Sequence, residues 1–371
     1  MAQPGLIRLL LVGDVMIGRG IDQILPVTSH PELHESAITD ARDYVWLAER
    51  ANGTIPRGVG YEYVWGDALD EMRRAAPDLR VVNLETSITR SDDWQPKGIN
   101  YRMRPENVTC LTAAHVDCAD LANNHVLDYG RDGFVETLSV LHGAGVKTAG
   151  AGANAAEARA PAVLPVGPAT RVLVLGIGSR SSGIPPEWGA TEHRPGVNLW
   201  DGPVARTTAY VREALAGVRR PGDVVVASLH WGENFGYAIP ERHRTLARAL
   251  IDECGVDVIH GHSSHHVKGI EVYRNKLVLH GCGDFIDDYE GISGHEAYRG
   301  DLSLMYFVDV DGRSGSLNDV RMVPMRIRRF RLERASAFDA RWLAEMLNRE
   351  GASFRTSVGL DADGALRLRW H

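Results

Sequence analysis

The chain has 371 residues, of which 44% are hydrophobic and 24% are charged, and its formal net charge is −7. This composition excludes wholesale disorder, and the acidic balance gives no electrostatic reason to expect nucleic-acid binding. The apolar stretches fall short of the roughly 18 residues that span a bilayer, so we expect no membrane anchor. The four cysteines lack CxxC spacing, which favours a reducing cytoplasm over a disulfide framework.

Apolar segments of strand length recur along the chain, and most lead into a stretch with helical periodicity. We predict strands over 6–14, 79–85, 116–124, 171–179, 223–233, 256–262 and 276–284. We predict helices over 66–76, 131–143 and 241–254. This alternation indicates an α/β protein with a mainly parallel or mixed sheet that is covered on both faces.

The remaining segments are predicted to elaborate one domain that spans residues 1–371. Residues 22–65 are aromatic and polar without a clean period, and we expect them to form an excursion over the sheet. Residues 180–200 are rich in Pro, Gly and Trp, and they form either part of a substrate pocket or a packed surface loop. From about residue 301 the alternation indicates edge strands, and 338–371 is expected to be a C-terminal extension with a helix and a short strand.

Polar side chains of the metal-ligand type follow the predicted strands. Because the carboxyl ends of parallel strands meet at one edge of an α/β sheet, we expect these side chains to converge. They are Asp14, Asn83, Glu85, Asn123, Asn124, His125, Asp128, His230, Glu233, His260, His262, His265, His266, His280, Cys282, Asp284, Asp287 and Asp288. Singly, Asp14 is also explained as a helix N-cap and His230 as a hydrogen-bonded core histidine. Together, the residues predict a metal site.

Imidazole nitrogen combined with carboxylate and amide oxygen suits a divalent ion. Manganese, zinc and iron all fit, as does calcium where oxygen dominates, and no organic cofactor is predicted. A bound cation polarises a carbonyl or phosphoryl oxygen, or lowers the pKa of a bound water. His125 and Asp128 are three residues apart, so the carboxylate can orient the ring and raise its basicity. His125 is therefore the candidate acid–base residue.

Six motifs follow one another along the chain in the order GDVM, NLET, NNHVLDYG, HWGE, GHSSH and GDF. This ordered set, from about residue 7 to about residue 310, resembles the CapA family of bacterial capsule and poly-γ-glutamate synthesis proteins. The resemblance implies a calcineurin-like metallophosphoesterase fold, a layered α/β sandwich with its active site at the carboxyl ends of the strands. It also implies a proton-transfer role for His125 and a metal site formed by Asp14, Glu85, Asn124, His230 and His262.

Three departures from the family pattern bear on the chemistry. Metallophosphoesterases typically have a histidine two residues after the first Asp, where this chain has Met16, which argues against a complete two-metal site. The usual Gly-His-x-His ending reads GHSSHH, so the second histidine is either His265 or is replaced from the other side by His260. Asp284 stands where asparagine is common, and it predicts a second His/Asp pair whose histidine is His265, His260 or His295.

The chain is similar to the branch of the family that includes a lasso-peptide epimerase. We therefore predict a metal-dependent isomerase that inverts the Cα centre of a bulky C-terminal residue, such as tryptophan, in a ribosomally made precursor peptide. Inversion needs an acid–base group on each face of the carbon and stabilisation of the enolate, which two His/Asp pairs beside a cation can provide. Six tryptophans either line a pocket for that residue or pack in the core. They are Trp46, Trp65, Trp94, Trp188, Trp200 and Trp231.

Three other functions stay open at this point. Phosphoester hydrolysis uses a metal-activated water with His125 assisting the leaving group, and it predicts the full two-metal shell that Met16 argues against. Capsule or poly-γ-glutamate synthesis is weakened because membrane-bound family members carry an N-terminal anchor, which we do not expect here. A vestigial site that binds peptide without turnover conflicts with the many ligand-type residues that remain.

Overall fold

The computed structural model of the protein describes residues 5–167 and 170–371. Its strands are β1 Leu6–Val15, β2 Leu79–Leu84, β3 Ser87–Ile88, β4 Arg102–Met103, β5 Cys118–Asp120, β6 Lys147–Ala149, β7 Ala151–Gly152, β8 Ala162–Val166, β9 Thr170–Gly178, β10 Gly196–Val197, β11 Val224–His230, β12 Val258–His262, β13 Ile270–Tyr273, β14 Lys276–Leu279, β15 Asp284–Ile286, β16 Leu302–Asp311, β17 Leu317–Arg328, β18 Arg331–Arg334, β19 Thr356–Leu360 and β20 Leu366–Trp370. Its helices are α1 Arg19–Asp22, α2 Ala41–Asn52, α3 Ala68–Ala75, α4 Thr109–Ala113, α5 Gly130–Gly143, α6 Ala155–Arg159, α7 Val204–Ala216, α8 Glu241–Cys254 and α9 Ala337–Gly351. Each predicted strand and helix overlaps one of these, although the predicted strand 116–124 is a strand only at Cys118–Asp120. Residues 1–4 and 168–169 of the predicted domain lie outside the described residues.

Two large mixed sheets form the centre of the protein. The first has the order β19-β20-β17-β16-β1-β2-β5-β6, with β15 paired to β1 and β18 to β17. The second has the order β13-β14-β12-β11-β9-β8. Strands β1, β2, β5 and β6 run parallel in the first sheet, as do β9, β11, β12 and β14 in the second. The predicted α/β class and mixed strand direction are confirmed, but the strands form two sheets where the sequence indicated one.

Each sheet buries one face against the other sheet and the opposite face under helices. Leu9 and Leu11 of β1 point into the core between the sheets, where they meet side chains such as Val174 of β9. The alternate residue Leu10 points to the other face, into a cluster that includes Phe134 of α5. The long apolar runs of these strands follow from this burial on both faces.

Two sequence predictions about the peripheral segments are wrong in detail, and the structure makes a third more specific. Strand β16 is not an edge strand, because it pairs with β1 on one side and with β17 on the other. The C-terminal extension contains α9 followed by two antiparallel strands, β19 and β20, where one strand was predicted. The excursion at 22–65 includes helix α2, and its side chains Val45 and Trp65 are part of the core.

Two further expectations concern the environment of the chain. Within the described residues, no helix combines the length and the apolarity that crossing a membrane requires. The cysteines Cys110, Cys118, Cys254 and Cys282 are all buried and free, which agrees with the predicted lack of a disulfide framework.

Candidate metal and acid–base site

The carboxyl ends of the parallel strands in the two sheets lie against each other. In the first sheet, Asp14 of β1 is in register with Asp284 of β15 on one side and Asn83 of β2 on the other. In the second sheet, His230 at the end of β11 is in register with His262 at the end of β12. The packing of the sheets joins these rows, with Asn83 Nδ2 3.4 Å from His230 Nδ1. The predicted convergence of strand ends is therefore observed.

Asn83 stands at the centre of the polar cluster. Its Nδ2 donates hydrogen bonds to Asp14 Oδ1 and Glu85 Oε1, both at 2.8 Å. The Nδ1 atoms of His230 and His262 face each other at 2.8 Å, and His230 Nδ1 lies 3.4 Å from Glu85 Oε1. The potential ligand atoms of Asp14, His230 and His262 all lie within 4.8 Å of one another. Residues from four distant parts of the chain thus share one buried site.

The electrostatics of this cluster fit a bound cation. Burial and the neighbouring Asp284 raise the pKa of Asp14 to about 7, and burial together with Asp14 raises the pKa of Glu85 well above its ordinary value. Burial also lowers the pKa of His230 well below its ordinary value, so its ring stays neutral and does not balance the carboxylates. Asp14, His230 and His262 would hold a divalent ion, whose charge would favour the ionised form of the carboxyls, and the donor set suits manganese, zinc or iron.

Side chains behind the cluster fix the orientation of its rings. His262 Nε2 lies 3.2 Å from Asp120 Oδ2 and 2.9 Å from Ser228 Oγ. His230 Nε2 lies 3.0 Å from Asn124 Oδ1. Partners of this kind orient the histidine ligands of metal sites and raise their basicity. Asn124 was predicted to be a ligand, and the structure places it beside His230.

The first His/Asp pair, His125 and Asp128, is flanked by a lysine. His125 Nδ1 lies 2.8 Å from Asp128 Oδ2, and Lys97 Nζ donates to Asp128 Oδ1 at 2.7 Å. Lys97 Nζ is also 3.1 Å from His125 Nδ1. Burial and the charge of Lys97 lower the pKa of His125 to about 4. The ring is therefore neutral at neutral pH, with its Nδ1 occupied and its Nε2 as the remaining acid–base atom.

The second pair consists of His265 and Asp284, with Nδ1 and Oδ1 2.8 Å apart. Burial alone would lower the pKa of His265, but Asp284 and Asp14 raise it to about 9. Asp284 Oδ2 is buried and has no hydrogen-bond partner among residues 5–167 and 170–371. Asp14, His265 and Asp284 also form a second group whose ligand atoms lie within 4.8 Å of one another. Of the three histidines that the sequence left open, His265 is thus the partner of Asp284.

The structure does not bring His260 or His295 into the cluster. His260 is buried behind it, with Nε2 2.7 Å from the Val12 carbonyl oxygen and Nδ1 3.1 Å from Ser228 Oγ. Both ring nitrogens are therefore already engaged, which argues against the predicted role as a metal ligand. His295 is exposed, and its ring stacks on Phe235 with a centroid distance of 3.7 Å. It has no contact with Asp284 that would support the predicted acid–base role.

Sequence reasoning missed several residues of the site. Lys97 and Tyr101 belong to a loop between β3 and β4 that carries no strand-end signal. Asp120 ends β5, but its direction depends on the other sheet, because a Cβ at Gly176 of β9 would lie 1.9 Å from Asp120 Oδ1. Tyr289 follows the GDF motif by four residues, and that proximity was the one signal available for it.

An open cavity of about 510 Å³ borders the site. Its lining residues are Asn124, Ser181, Ser182, Gly183, Glu233, Asn234 and Phe235. Three of these belong to the insertion at 180–200, which favours the pocket over the packed surface loop for that segment. None of the six tryptophans named above lines this cavity, since Trp65, Trp188 and Trp231 are buried, Trp200 is half-buried, and Trp46 and Trp94 are exposed.

Known proteins are similar in sequence to this chain over 57–98% of its length. The chain is 44% identical over 367 residues to a protein of Mycobacterium tuberculosis named "Probable polyglutamine synthesis accessory protein", covering 98% of this chain and 96% of the relative. It is 28% identical over 289 residues to the "Capsule biosynthesis protein CapA" of Bacillus anthracis, covering 76% of this chain and 67% of the relative. A 28% identity over 215 residues relates it to the "PGA biosynthesis protein CapA" of Bacillus subtilis, covering 57% and 54% of the two chains.

Residues 8–289 match the family model described as "Bacterial capsule synthesis protein PGA_cap". The match covers every strand end that contributes to the buried cluster. The predicted metallophosphoesterase-like α/β fold class is confirmed with it, and a role in capsule or poly-glutamate synthesis is better supported than the peptide epimerase that the sequence favoured. The chain belongs to the family of bacterial capsule synthesis proteins of the PGA_cap type.

Proposed function

We propose that this protein is a metal-dependent enzyme that acts on an amide-linked glutamate or glutamine polymer during its synthesis. Support for the polymer comes from the name of the Mycobacterium tuberculosis relative, which matches this chain almost from end to end. Support for an enzyme comes from the site itself. Buried carboxylates and neutral histidines are costly to keep together, and folded proteins retain them mainly where they bind a cation or perform chemistry.

The observation that carries the proposal is the sharing of Asp14 by two groups of potential ligands. Asp14 lies within 4.8 Å of ligand atoms of His230 and His262 on one side, and of His265 and Asp284 on the other. A divalent ion bound by Asp14, His230 and His262 would polarise a substrate carbonyl and anchor a carboxylate, with His265 and Asp284 beside it on the other side of Asp14. A glutamyl chain offers both groups in every residue, which is why this polymer suits the site.

The His/Asp pairs supply the proton transfers. His125 is neutral, and its Nε2 accepts a proton from the attacking nucleophile while Asp128 and Lys97 hold the ring in place. His265 is protonated beside Asp284, and its Nε2 gives a proton to the departing amine. Two titratable groups whose surroundings separate their pKa values are the usual arrangement for paired acid and base roles. Cleavage or transfer at an amide bond is therefore the reaction that we propose.

Inversion of a Cα centre is a second candidate, favoured by the presence of two separate His/Asp pairs. Such a reaction removes a proton with one group and returns one with another. The neutral ring of His125 suits removal and the protonated ring of His265 suits return. The prediction of an epimerase acting on a lasso precursor peptide has this geometric support, and none of the relatives named above carries that description.

One incubation separates these reactions. The purified protein, loaded with Mn²⁺ or Zn²⁺, is incubated in deuterium oxide with γ-linked and α-linked glutamate oligomers, and the products are followed by mass spectrometry. We expect chains of altered length, because the amide bond is cut or transferred. Chains of unchanged length that gain a non-exchangeable deuteron at each inverted Cα would instead establish Cα inversion.

Matched controls define what would refute the proposal. A chelator should abolish the reaction, and restoring the metal should recover it. The double variant His125→Ala/His265→Ala should be inactive while a cooperative thermal transition shows that it is still folded. The proposal is wrong if the loaded protein leaves both oligomers unchanged, above all if it releases phosphate from a model ester such as p-nitrophenyl phosphate.

A further inference from the structure

A pair of tyrosine hydroxyls lies between the two His/Asp pairs. The hydroxyls of Tyr101 and Tyr289 are hydrogen-bonded to each other. The Tyr101 ring meets His125 edge to face with a centroid distance of 4.5 Å. The Tyr289 ring meets His265 edge to face at 5.5 Å. Each tyrosine therefore contacts one of the acid–base histidines, and the hydroxyl pair spans the space between them.

The proton of Tyr289 points to a weak acceptor. Its hydroxyl lies 3.6 Å from the Sδ atom of Met16, the residue that stands where metallophosphoesterases have a histidine. A thioether sulfur is a poor hydrogen-bond acceptor. The contact therefore orients the Tyr289 hydroxyl, and little free energy is lost when that hydroxyl donates to another acceptor instead. Tyr101 can meanwhile donate to the Tyr289 oxygen, which strengthens Tyr289 as a donor. A substrate oxygen is a better partner than the sulfur.

A buried arginine makes the pair rigid. The Arg19 guanidinium stacks over the Tyr101 ring at 4.4 Å and over the Tyr44 ring at 3.9 Å. Its nitrogens donate to Asp288 Oδ2 at 3.2 Å and to Glu35 Oε1 at 3.0 Å. Arg19 is therefore held by two carboxylates and serves as a support for the aromatic rings. Donors fixed before the reaction stabilise a developing charge without a cost of reorganisation.

We infer that the Tyr289 hydroxyl is a catalytic hydrogen-bond donor to the substrate oxygen on which negative charge develops, and that Tyr101 is its positioning residue. This inference rests on the proposed function, and it holds equally for amide cleavage and for Cα inversion. The first reaction places the charge on a tetrahedral oxyanion and the second on an enolate, and both are made from the substrate carbonyl. The tyrosine donates a hydrogen bond only, and the protons move through the histidines.

The test compares three tyrosine-to-phenylalanine variants of the metal-loaded full chain on glutamate oligomers. We expect Tyr289→Phe to lower kcat by about 100-fold with KM changed by less than about threefold, since the lost bond forms in the transition state. Tyr101→Phe should lower kcat by about 10-fold. Tyr44→Phe is the matched control, because its hydroxyl accepts from Arg19 and donates to Glu35 without touching Tyr101 or Tyr289, and it should stay within about twofold of wild type.

Two kinetic results would overturn the inference. One is a Tyr289→Phe enzyme whose kcat stays within about threefold of wild type. The other is an equal loss in Tyr289→Phe and Tyr44→Phe, which would trace the effect to the structural network around Arg19. Thermal midpoints of all three variants, measured alongside, identify a variant that has simply lost its fold.

A binding measurement keeps this inference separate from the proposed reaction. Methylphosphonate, a tetrahedral oxyanion, is titrated by calorimetry into the Mn²⁺-loaded protein. We expect Tyr289→Phe to bind it at least about 10-fold more weakly than wild type and Tyr44→Phe to bind it equally well. If wild type leaves glutamate oligomers unchanged but shows this difference, the proposed function fails and the role of Tyr289 stands. Equal binding by Tyr289→Phe and wild type, or no binding by either, overturns that role.

Discussion

The pairs His125–Asp128 and His265–Asp284 have the same ring-to-carboxylate distance of 2.8 Å, yet their surroundings are opposite in charge. Lys97 stands beside the first pair, and it lowers the pKa of His125 together with burial. Carboxylates surround the second pair and raise the pKa of His265. The same two residue types thus acquire a neutral and a protonated ring because of their neighbours. The role of a His/Asp pair is set by the third charge next to it.

Replacing Asp14 tests whether both His/Asp pairs work with one metal centre, and this replacement should give the largest effect. Replacing Asp14 with Ala removes the carboxylate that both ligand groups share, so we expect bound metal to fall to less than about one tenth of wild type. Turnover should fall to background. Metal content measured by mass spectrometry after dialysis decides the matter. Wild-type metal content in this variant would mean that Asp14 does not hold the ion.

Single histidine variants test whether the pairs have different roles. We expect His125→Ala and His265→Ala each to lower kcat by about 10²–10⁴-fold, the usual contribution of a positioned acid or base. Metal content should stay at the wild-type level in both variants, because Asp14, His230 and His262 would hold the ion while His125 and His265 transfer protons.

His295→Ala is the control for these variants, since its ring stacks on Phe235 at the surface. It should retain at least about one third of the wild-type kcat. A loss as large as that of His265→Ala would restore the predicted catalytic role of His295 and contradict the assignment of His265.

The residues at strand ends could be predicted, because the recurring apolar runs show where each strand ends. Asp14 and His230 each follow a long apolar run, and parallel strands deliver such positions to one edge. The partner of Asp284 could not be predicted, because His260, His265 and His295 all lie close to it in sequence. Only the three-dimensional path shows that His260 bonds the Val12 carbonyl, and that choice depends on contacts between the two sheets.

Lys97 escaped prediction for a different reason. It comes from a polar loop between two short strands, and nothing in the local pattern distinguishes its lysine from a solvated one. Its meaning arises from the ion pair with Asp128, which is 31 residues away. The charge that separates the two pairs was therefore invisible in the sequence, although both histidines were visible.

Lys97→Met should remove much of the difference between the pairs. Without the neighbouring cation the protonated ring of His125 is less disfavoured, so its pKa should rise from about 4 by on the order of one unit. The acid limb of the pH–kcat profile should move upward by a similar amount. Titration of the His125 ring signal by NMR in the metal-free protein checks this directly, with Lys147→Met, an exposed lysine, as control. An unchanged His125 pKa would assign its shift to burial alone.

The smallest expected effect is on the free energy of unfolding. Its dependence on pH should have opposite signs for the contributions of the two pairs. The pKa of His265 is raised to about 9, so its contribution is complete below the ordinary value near 6.5 and is lost as pH rises through 9. The pKa of His125 is lowered to about 4, so the unfolded chain takes up a proton first and stability is lost as pH falls from 6.5 to 4.

Urea unfolding of the metal-free protein at pH 5, 7 and 9 measures both contributions. Each should reach at most about 3.4 kcal/mol at the pKa values given above. We expect His265→Gln to flatten the alkaline side and His125→Gln to flatten the acid side, with each variant keeping the other slope. If both variants keep the wild-type dependence of stability on pH on the acid and the alkaline side, the opposite charge states assigned to the two rings are wrong. The assignment of one pair as base and the other as acid is then also wrong.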